Sequence, residues 1–327
     1  MTTVTLARHA MATRFELLLH GGDAAALRAA GEEALDEVGR LADELSYFCA
    51  TSQVFRLNQE AAKQPVRVAP WLFRLLQRAR RLSEETDGTF DITVAPLMRC
   101  WGFYTHEGRV PEPEALARAR ACVGMSLVEL NEADFTVRFT REGVQVDLGS
   151  IGKGYAVERV GELLRESGVT SALLHGGTST VLAIGAPPDA DGWKIGLDHP
   201  ASHDGTTPNS KLETQNSPAP LATVLLRDES LSVSAVWGKS FTTAEKTYGH
   251  VIDPRTGQPT VGALLSAVVL PSATESDALS TMLLTLGPGG FDQVLRLRPG
   301  MRALVAGNGD GGRPLRIEAR GFDLTAH

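Results

Sequence analysis

Residues 146–157 read VDLGSIGKGYAV, an alternating apolar run that breaks into glycines around a lysine and resumes in helix-forming residues. This stretch looks like a phosphate loop of the G-x-x-x-x-G-K-[ST] kind, in which Lys reaches the terminal phosphates and the following hydroxyl holds magnesium. The spacing fails. Gly149 stands three residues before Gly152, and Gly154 occupies the place after Lys153 where a hydroxyl would hold magnesium. What survives is a strand-to-helix turn rich in backbone amides, with a helix N-terminus and a cation close by. That is anion-binding chemistry without the kinase geometry. A plain turn with a solvated lysine would read the same.

Outward from this loop the elements come in runs. Thr13 to His20 alternates Phe15, Leu17 and Leu19 as a strand does, Gly21 and Gly22 turn it, and Asp23 caps a helix with Leu27, Ala34, Val38, Leu41 and Leu45 on one face. A helix is predicted over Pro70 to Glu85, with Gly88 just beyond it. Strand-like runs follow at Val144 to Leu148, Ser171 to Leu174, Trp193 to Leu197, Ala222 to Leu226, Leu265 to Leu270 and Met301 to Val305. Helices are expected at Gly154 to Glu166 and Glu275 to Leu286. Strands in runs, without steady strand-helix alternation, predict an α+β fold and not a doubly wound sheet. Residues 199–220, rich in Ser, Thr, Pro and Asn, read as a flexible insertion loop.

The chain has 327 residues, 43% of them hydrophobic, enough for a sizeable core. Its formal net charge of −7 argues against broad binding to nucleic acid or anionic membrane and favours small ligands. Cys49, Cys100 and Cys122 are far apart and suggest neither a zinc site nor a disulfide framework. The first residues carry no secretory pattern, and no run of eighteen apolar residues occurs. The expectation is a cytoplasmic protein with no membrane span, one domain over residues 1–327 with room for two lobes.

Four stretches combine turn residues with reactive groups. In TDGTFDITVAPLMRCWGF (86–103), Asp91 beside Phe90 could line a heterocycle's pocket or cap a turn. The glycine loop carries Lys153. In KTYGHVIDPRTGQP (246–259), His250 precedes a rigid Asp-Pro turn that fixes its direction, and a near-neutral imidazole there can take a proton from a hydroxyl or be purely structural. In ATESDALSTMLLTLG (273–287), Asp277 and Thr281 lie four apart on one helix face, a carboxylate and a hydroxyl suited to magnesium. The alternative is an aspartate favouring the helix dipole.

Together these stretches resemble the ApbE-type FAD:protein FMN transferases over nearly the whole chain. The family's M-G-T start corresponds to Met11-Ala12-Thr13, and its L-S-x-Y, Ser and L-N positions to Leu45-Ser46-Tyr47-Phe48, Ser52 and Leu57-Asn58. Its G-x-F-D-x-T-V-x-P-L and W-G-F run spans Gly88 to Phe103. The D-L-G-x-I-A-K-G loop, G-G pair, H-I-I-D-P-x-T-G turn and D-A-L-x-T helix match Asp147–Gly154, Gly176-Gly177, His250–Gly257 and Asp277–Thr281. The resemblance implies mixed, mainly antiparallel sheets with packed helices. It also implies FAD as substrate, Mg2+, and an acceptor flavoprotein that receives FMN on a Thr or Ser while AMP leaves.

By the same resemblance, Met11, Thr89, Phe90, Asp91, Gly149, Lys153, Tyr155, His250 and Val251 would contact FAD. Gly152, by its carbonyl, and the side chains of Asp277 and Thr281 would hold Mg2+. His250 would be the base, Lys153 would offset pyrophosphate charge, and Asp253 would steady the turn or the imidazole. A FAD pyrophosphatase giving FMN and AMP, or a non-catalytic FAD-binding protein, are the alternative readings. The sequence departs from the family at Thr178 after the G-G pair, at Ala235 in place of the glycine of a T-S-G turn, at Phe48 where Tyr is common, and at Gly152 for Ala.

Overall fold

The computed structural model describes residues 1–105, 107–200, 220–237, 240–243, 247–308 and 315–325. The insertion expected at 199–220 thus lies almost wholly outside the described residues. The chain divides into two compact units, one of residues 1–42, 153–238 and 262–327, the other of 43–152 and 239–261.

The first unit is built on an eight-stranded sheet. Its strands are β1 (Thr2–Ala10), β2 (Thr13–Gly21), β3 (Ala172–Gly176), β4 (Thr180–Ile184), β5 (Ser230–Ala235), β6 (Leu265–Leu270), β7 (Arg302–Gly307) and β8 (Arg316–Arg320). They lie side by side in chain order, and every pair is antiparallel. Side chains alternate between two cores, as the strand period of two requires. From β2 and β3, Phe15, Leu17, Leu19, Ala172 and Leu174 enter a core with helices α1 (Ala24–Leu45) and α2 (Gly152–Glu166), which supply Leu27, Ala34, Leu35, Val38, Val157, Val160 and Leu164. Leu173, Val181, Ala183, Leu231, Ala267 and Leu304 face the other way. They meet Trp193, Leu197, Ala222, Val224 and Leu226 of a small antiparallel sheet formed by Trp193–Leu197, Ala222–Leu226 and Asp323–Leu324. Helix α3 (Ala273–Leu286) packs on β5 and β6 and is buried on nearly every side, Ala273, Ser276, Ala278, Leu279, Met282 and Leu283 among them, as a helix without a polar face must be.

The second unit contains the helix Pro70–Glu85, with the predicted bounds and with Leu72, Leu75, Leu76, Ala79 and Leu82 inward. It also holds a three-stranded antiparallel sheet of Val66–Arg67, Val128–Asn131 and Thr136–Phe139, and two short ribbons, Ser240–Thr242 with Thr247–Gly249 and Ile252–Asp253 with Gln258–Pro259.

Three expectations change. Val144 to Leu148 forms no strand ladder. Its polar backbone is satisfied instead by the Asn58 amide, which accepts from Val146 N at 2.8 Å and donates to Val146 O at 2.8 Å, while Asp147 N donates to Ile92 O at 2.7 Å. Helix α2 opens at Gly152 and not Gly154, so the glycine loop runs straight into its first turn; α3 opens at Ala273, capped by Ser272, whose hydroxyl accepts from Glu275 N. Among the described residues no helix is long and apolar enough to cross a membrane.

Candidate active site

In the first unit the site is organised by the contact of α2 with α3. A Cβ on Gly154 would lie 2.4 Å from the Ala273 carbonyl oxygen and 2.6 Å from Asp277 Cβ, so glycine is what lets the helices meet. The close approach places Gly154 N within 2.8 Å of Asp277 Oδ2, to which it donates. Asp277 is 4% exposed. Burial pushes its carboxyl above the usual range, against the opposing pull of the Lys153 charge and the Gly154 N–H. Lys153, one residue into the helix, donates through Nζ to Ser179 Oγ at 2.6 Å. Ser179 follows the Gly176-Gly177 pair in the turn from β3 to β4. Gly177 has φ +68, and a Cβ there would strike Thr13 Oγ1 at 2.2 Å, which keeps the turn tight against β2.

One turn along α3, the Thr281 hydroxyl donates to the Asp277 carbonyl at 3.3 Å and lies 3.3 Å from Ser234 Oγ of β5. Asp277 and Thr281 thus share a face as their spacing predicts. Among the described residues one hydrogen bond reaches the Asp277 carboxylate, and no group of three or more His, Cys, Asp or Glu is arranged to hold a metal. A buried carboxylate with acceptor capacity left, beside a half-buried hydroxyl, fits a hard divalent cation whose remaining ligands are carbonyl, substrate or water oxygens.

Two further candidates lie in this unit. Met11 and Ala12 form the two-residue turn between β1 and β2 with φ of 50 and 58, a left-handed pair that normally calls for glycine or asparagine. Met11 also packs on the first core. Tyr155 stands on α2, its phenol raised chiefly by burial, so it is a neutral hydrogen-bonding group.

The other predicted residues belong to the second unit. Asp91 is buried, and its carboxylate accepts from Ser83 Oγ at 3.0 Å, Thr93 N at 2.8 Å, Thr93 Oγ1 at 2.6 Å and Met125 N at 3.0 Å. Of the two readings of this aspartate, that occupancy supports the capping one. Phe90 and Thr89 are each 2% exposed, and the buried Thr89 hydroxyl has no hydrogen-bond partner among the described residues. Gly149 N donates to Asp147 Oδ1 at 2.8 Å, and Gly152 N to Leu148 O at 2.6 Å, closing the loop on itself. Asp147 also accepts from the Tyr104 hydroxyl.

The turn after His250 is held firmly. Asp253 Oδ1 accepts from Arg255 N and Nε at 2.9 Å each, and Oδ2 from Arg255 Nη2 at 2.8 Å. Asp253 therefore steadies the turn through Arg255. Trp101 Nε1 donates to Gly257 O at 2.8 Å and packs with Ile252, so the W-G-F run clamps the histidine turn. Val251 O accepts from Thr260 N at 2.9 Å.

Ser179 and Ser234 were not singled out from the sequence. Ser179 lies two residues past the G-G pair, and Ser234 is the middle residue of Val233-Ser234-Ala235, which stands where the family has T-S-G.

Comparisons with known proteins agree with this architecture. The chain is 30% identical over 305 residues to an FAD:protein FMN transferase of Klebsiella pneumoniae (strain 342), covering 90% of this chain and 82% of that one. It is 30% identical over 267 residues to one from Treponema pallidum (strain Nichols), covering 77% and 70%. The fold matches the crystal structure of the Pseudomonas stutzeri flavinyl transferase ApbE in its apo form, with a TM-score of 0.82 at 26% identity over 97% of this chain and 94% of that one. The ApbE protein of Thermotoga maritima MSB8 has the same fold, with a TM-score of 0.83 at 24% identity over 97% of both chains. The ApbE family model matches residues 11–305, and the chain belongs to the ApbE family.

Proposed function

We propose that this chain is an FAD:protein FMN transferase. A Thr or Ser hydroxyl oxygen of an acceptor flavoprotein attacks the FMN phosphorus of FAD, the bond to the bridging pyrophosphate oxygen breaks, and AMP leaves. The observation that carries the reading is Asp277, a buried carboxylate with acceptor capacity to spare, set against the N-terminal turn of a helix that bears Lys153. Relatives named for this activity and the shared fold support it.

Magnesium, when bound by Asp277, Thr281 and the Gly152 carbonyl, supplies positive charge to the pyrophosphate. The chain's own residues do the rest. The amino end of α2 favours an anion, and Lys153, steered by Ser179, adds a full charge where negative charge grows on the departing phosphate. His250 takes the proton from the attacking hydroxyl, a role worth about 10²- to 10⁴-fold. Asp253 acts at one remove, by fixing the turn through Arg255.

The test is to incubate the protein with FAD, Mg2+ and an acceptor domain carrying a Thr, following protein-bound flavin by in-gel fluorescence and intact mass, and AMP by chromatography. Wild type should add one FMN per acceptor. His250→Ala should bind FAD with near-normal affinity yet transfer about 10²- to 10⁴-fold more slowly. AMP and free FMN formed at the same rate without acceptor would identify a pyrophosphatase, and FAD binding without any product would identify a binding protein.

A further inference from the structure

We propose that Ser234 is a positioning residue that holds the Thr281 hydroxyl as a donor within the fold and so leaves its lone pairs for a divalent cation. The inference rests on the cation reading of Asp277 and Thr281. It follows from counting protons among three hydroxyls where β5 meets α3. The proposed arrangement puts the Ser280 proton on the Asp277 carbonyl at 2.9 Å. Ser234 Oγ lies 2.8 Å from Ser280 Oγ, a contact that either hydroxyl can donate, and in this arrangement Ser234 donates it. The 3.3 Å contact between Ser234 Oγ and Thr281 Oγ1 is then donated by Thr281. The other partner of Thr281, the Asp277 carbonyl at 3.3 Å, also takes a proton from it. With the protons so placed, Thr281 gives its own to the fold and accepts from none of these neighbours.

That polarity matters because a neutral hydroxyl binds a hard cation through a lone pair, with its proton directed elsewhere. The framework behind Ser234 is fixed. Ser234 pairs with Ser266 in the β5–β6 ladder, and Ser266 Oγ donates to Ser280 O at 2.7 Å, tying the strand pair to the helix. Without the Ser234 hydroxyl, Thr281 keeps only its long bond within the helix, and its rotor loses one of the two oxygens that aim it. The loss of such an outer partner typically weakens metal binding about 10- to 100-fold.

Mn2+ serves as the probe, its free concentration read by electron paramagnetic resonance, alongside urea unfolding in EDTA. Ser234→Ala should raise the Mn2+ Kd about 10- to 100-fold, and Ser234→Thr, which keeps the hydroxyl on a strand, should restore it. Ser232→Ala is the control, since Ser232 is buried on the same strand and bonds to Thr180 Oγ1 at 3.4 Å. It should match Ser234→Ala in stability but leave Mn2+ affinity unchanged. In a Thr281→Ala background, Ser234→Ala should have no further effect on Mn2+, because its action runs through that hydroxyl. A wild-type Kd for Ser234→Ala, an equal loss in Ser232→Ala, or an undiminished effect in the Thr281→Ala background would each overturn the proposal while leaving the cation site standing. Failure of the wild type itself to bind Mn2+ would overturn both.

Discussion

Gly154→Ala adds a single methyl group, at the point where α2 and α3 touch. The new Cβ would lie 2.4 Å from the Ala273 carbonyl oxygen and 2.6 Å from Asp277 Cβ, about 1 Å short of the 3.4 Å at which ordinary contact begins. Neither atom can swing aside, since one is backbone and the other is fixed directly to it. The helices must part. Alanine gains at most about 1 kcal/mol over glycine in helix propensity, while overpacking costs about 1–3 kcal/mol. Parting by about 1 Å also stretches the 2.8 Å bond from Gly154 N to Asp277 Oδ2 beyond hydrogen-bond range, leaving a buried carboxylate without it at about 1–3 kcal/mol. The net loss is about 3 kcal/mol, to be read by urea unfolding in EDTA with far-UV circular dichroism. Gly161→Ala in the same helix is the comparison, because its Cβ would meet Leu182 Cδ2 at 2.3 Å and Arg165 Nη1 at 3.2 Å, both ends of rotatable side chains. That variant should stay within about 1 kcal/mol of wild type. Equal stability of the two variants would refute the account of how the helices are joined.

Ala12→Gly should stabilise the protein by about 0.5–1 kcal/mol, because φ of 58 costs alanine about 1–2 kcal/mol and glycine returns only part of that gain as unfolded-state entropy; a lower urea midpoint would contradict this. Asp91→Asn should cost about 2–4 kcal/mol, since an amide group would face donors that now point at a carboxylate, while FAD affinity per folded molecule stays unchanged. A stable variant that lost FAD affinity would return Asp91 to the ligand site.

What the sequence disclosed, and what it hid, follows from whether local chemistry alone decides an element. Pro70–Glu85 was legible to the residue because a proline opens it and its apolar positions keep helical spacing over the whole length. The edge strand β1 is hard to read, for of its nine residues only Val4 is buried and its apolar alternation amounts to Val4 and Leu6 before Arg8 and His9 end it. Strand β5 was hidden for the opposite reason. Its Ser230 and Ser232 are fully buried, and hydroxyls in a core look like surface to any hydrophobic pattern. Val144–Leu148 misled in turn, since V-Q-V-D-L alternates well but finds the side chain of Asn58 in place of a neighbouring strand.

The same limit separates the three aspartates that the motifs brought forward. Asp91, Asp253 and Asp277 each lie in a conspicuous run, and nothing in those runs says which carboxylate is available to a ligand. Availability depends on donors, many of them distant in sequence. A carboxylate has about four acceptor positions. Asp91 fills them from Ser83, Thr93 and Met125, and Asp253 accepts three bonds from Arg255 alone. Asp277 receives the Gly154 N–H from 123 residues away, and no other hydrogen bond among the described residues. A saturated aspartate holds a loop together and has little left for a cation. A buried, under-coordinated one is costly to ionise unless positive charge arrives, and in this unit the Lys153 charge and the Gly154 N–H already pull against the burial of Asp277. The carboxylate that contributes least to holding the fold together is therefore the one to which the chemistry is assigned.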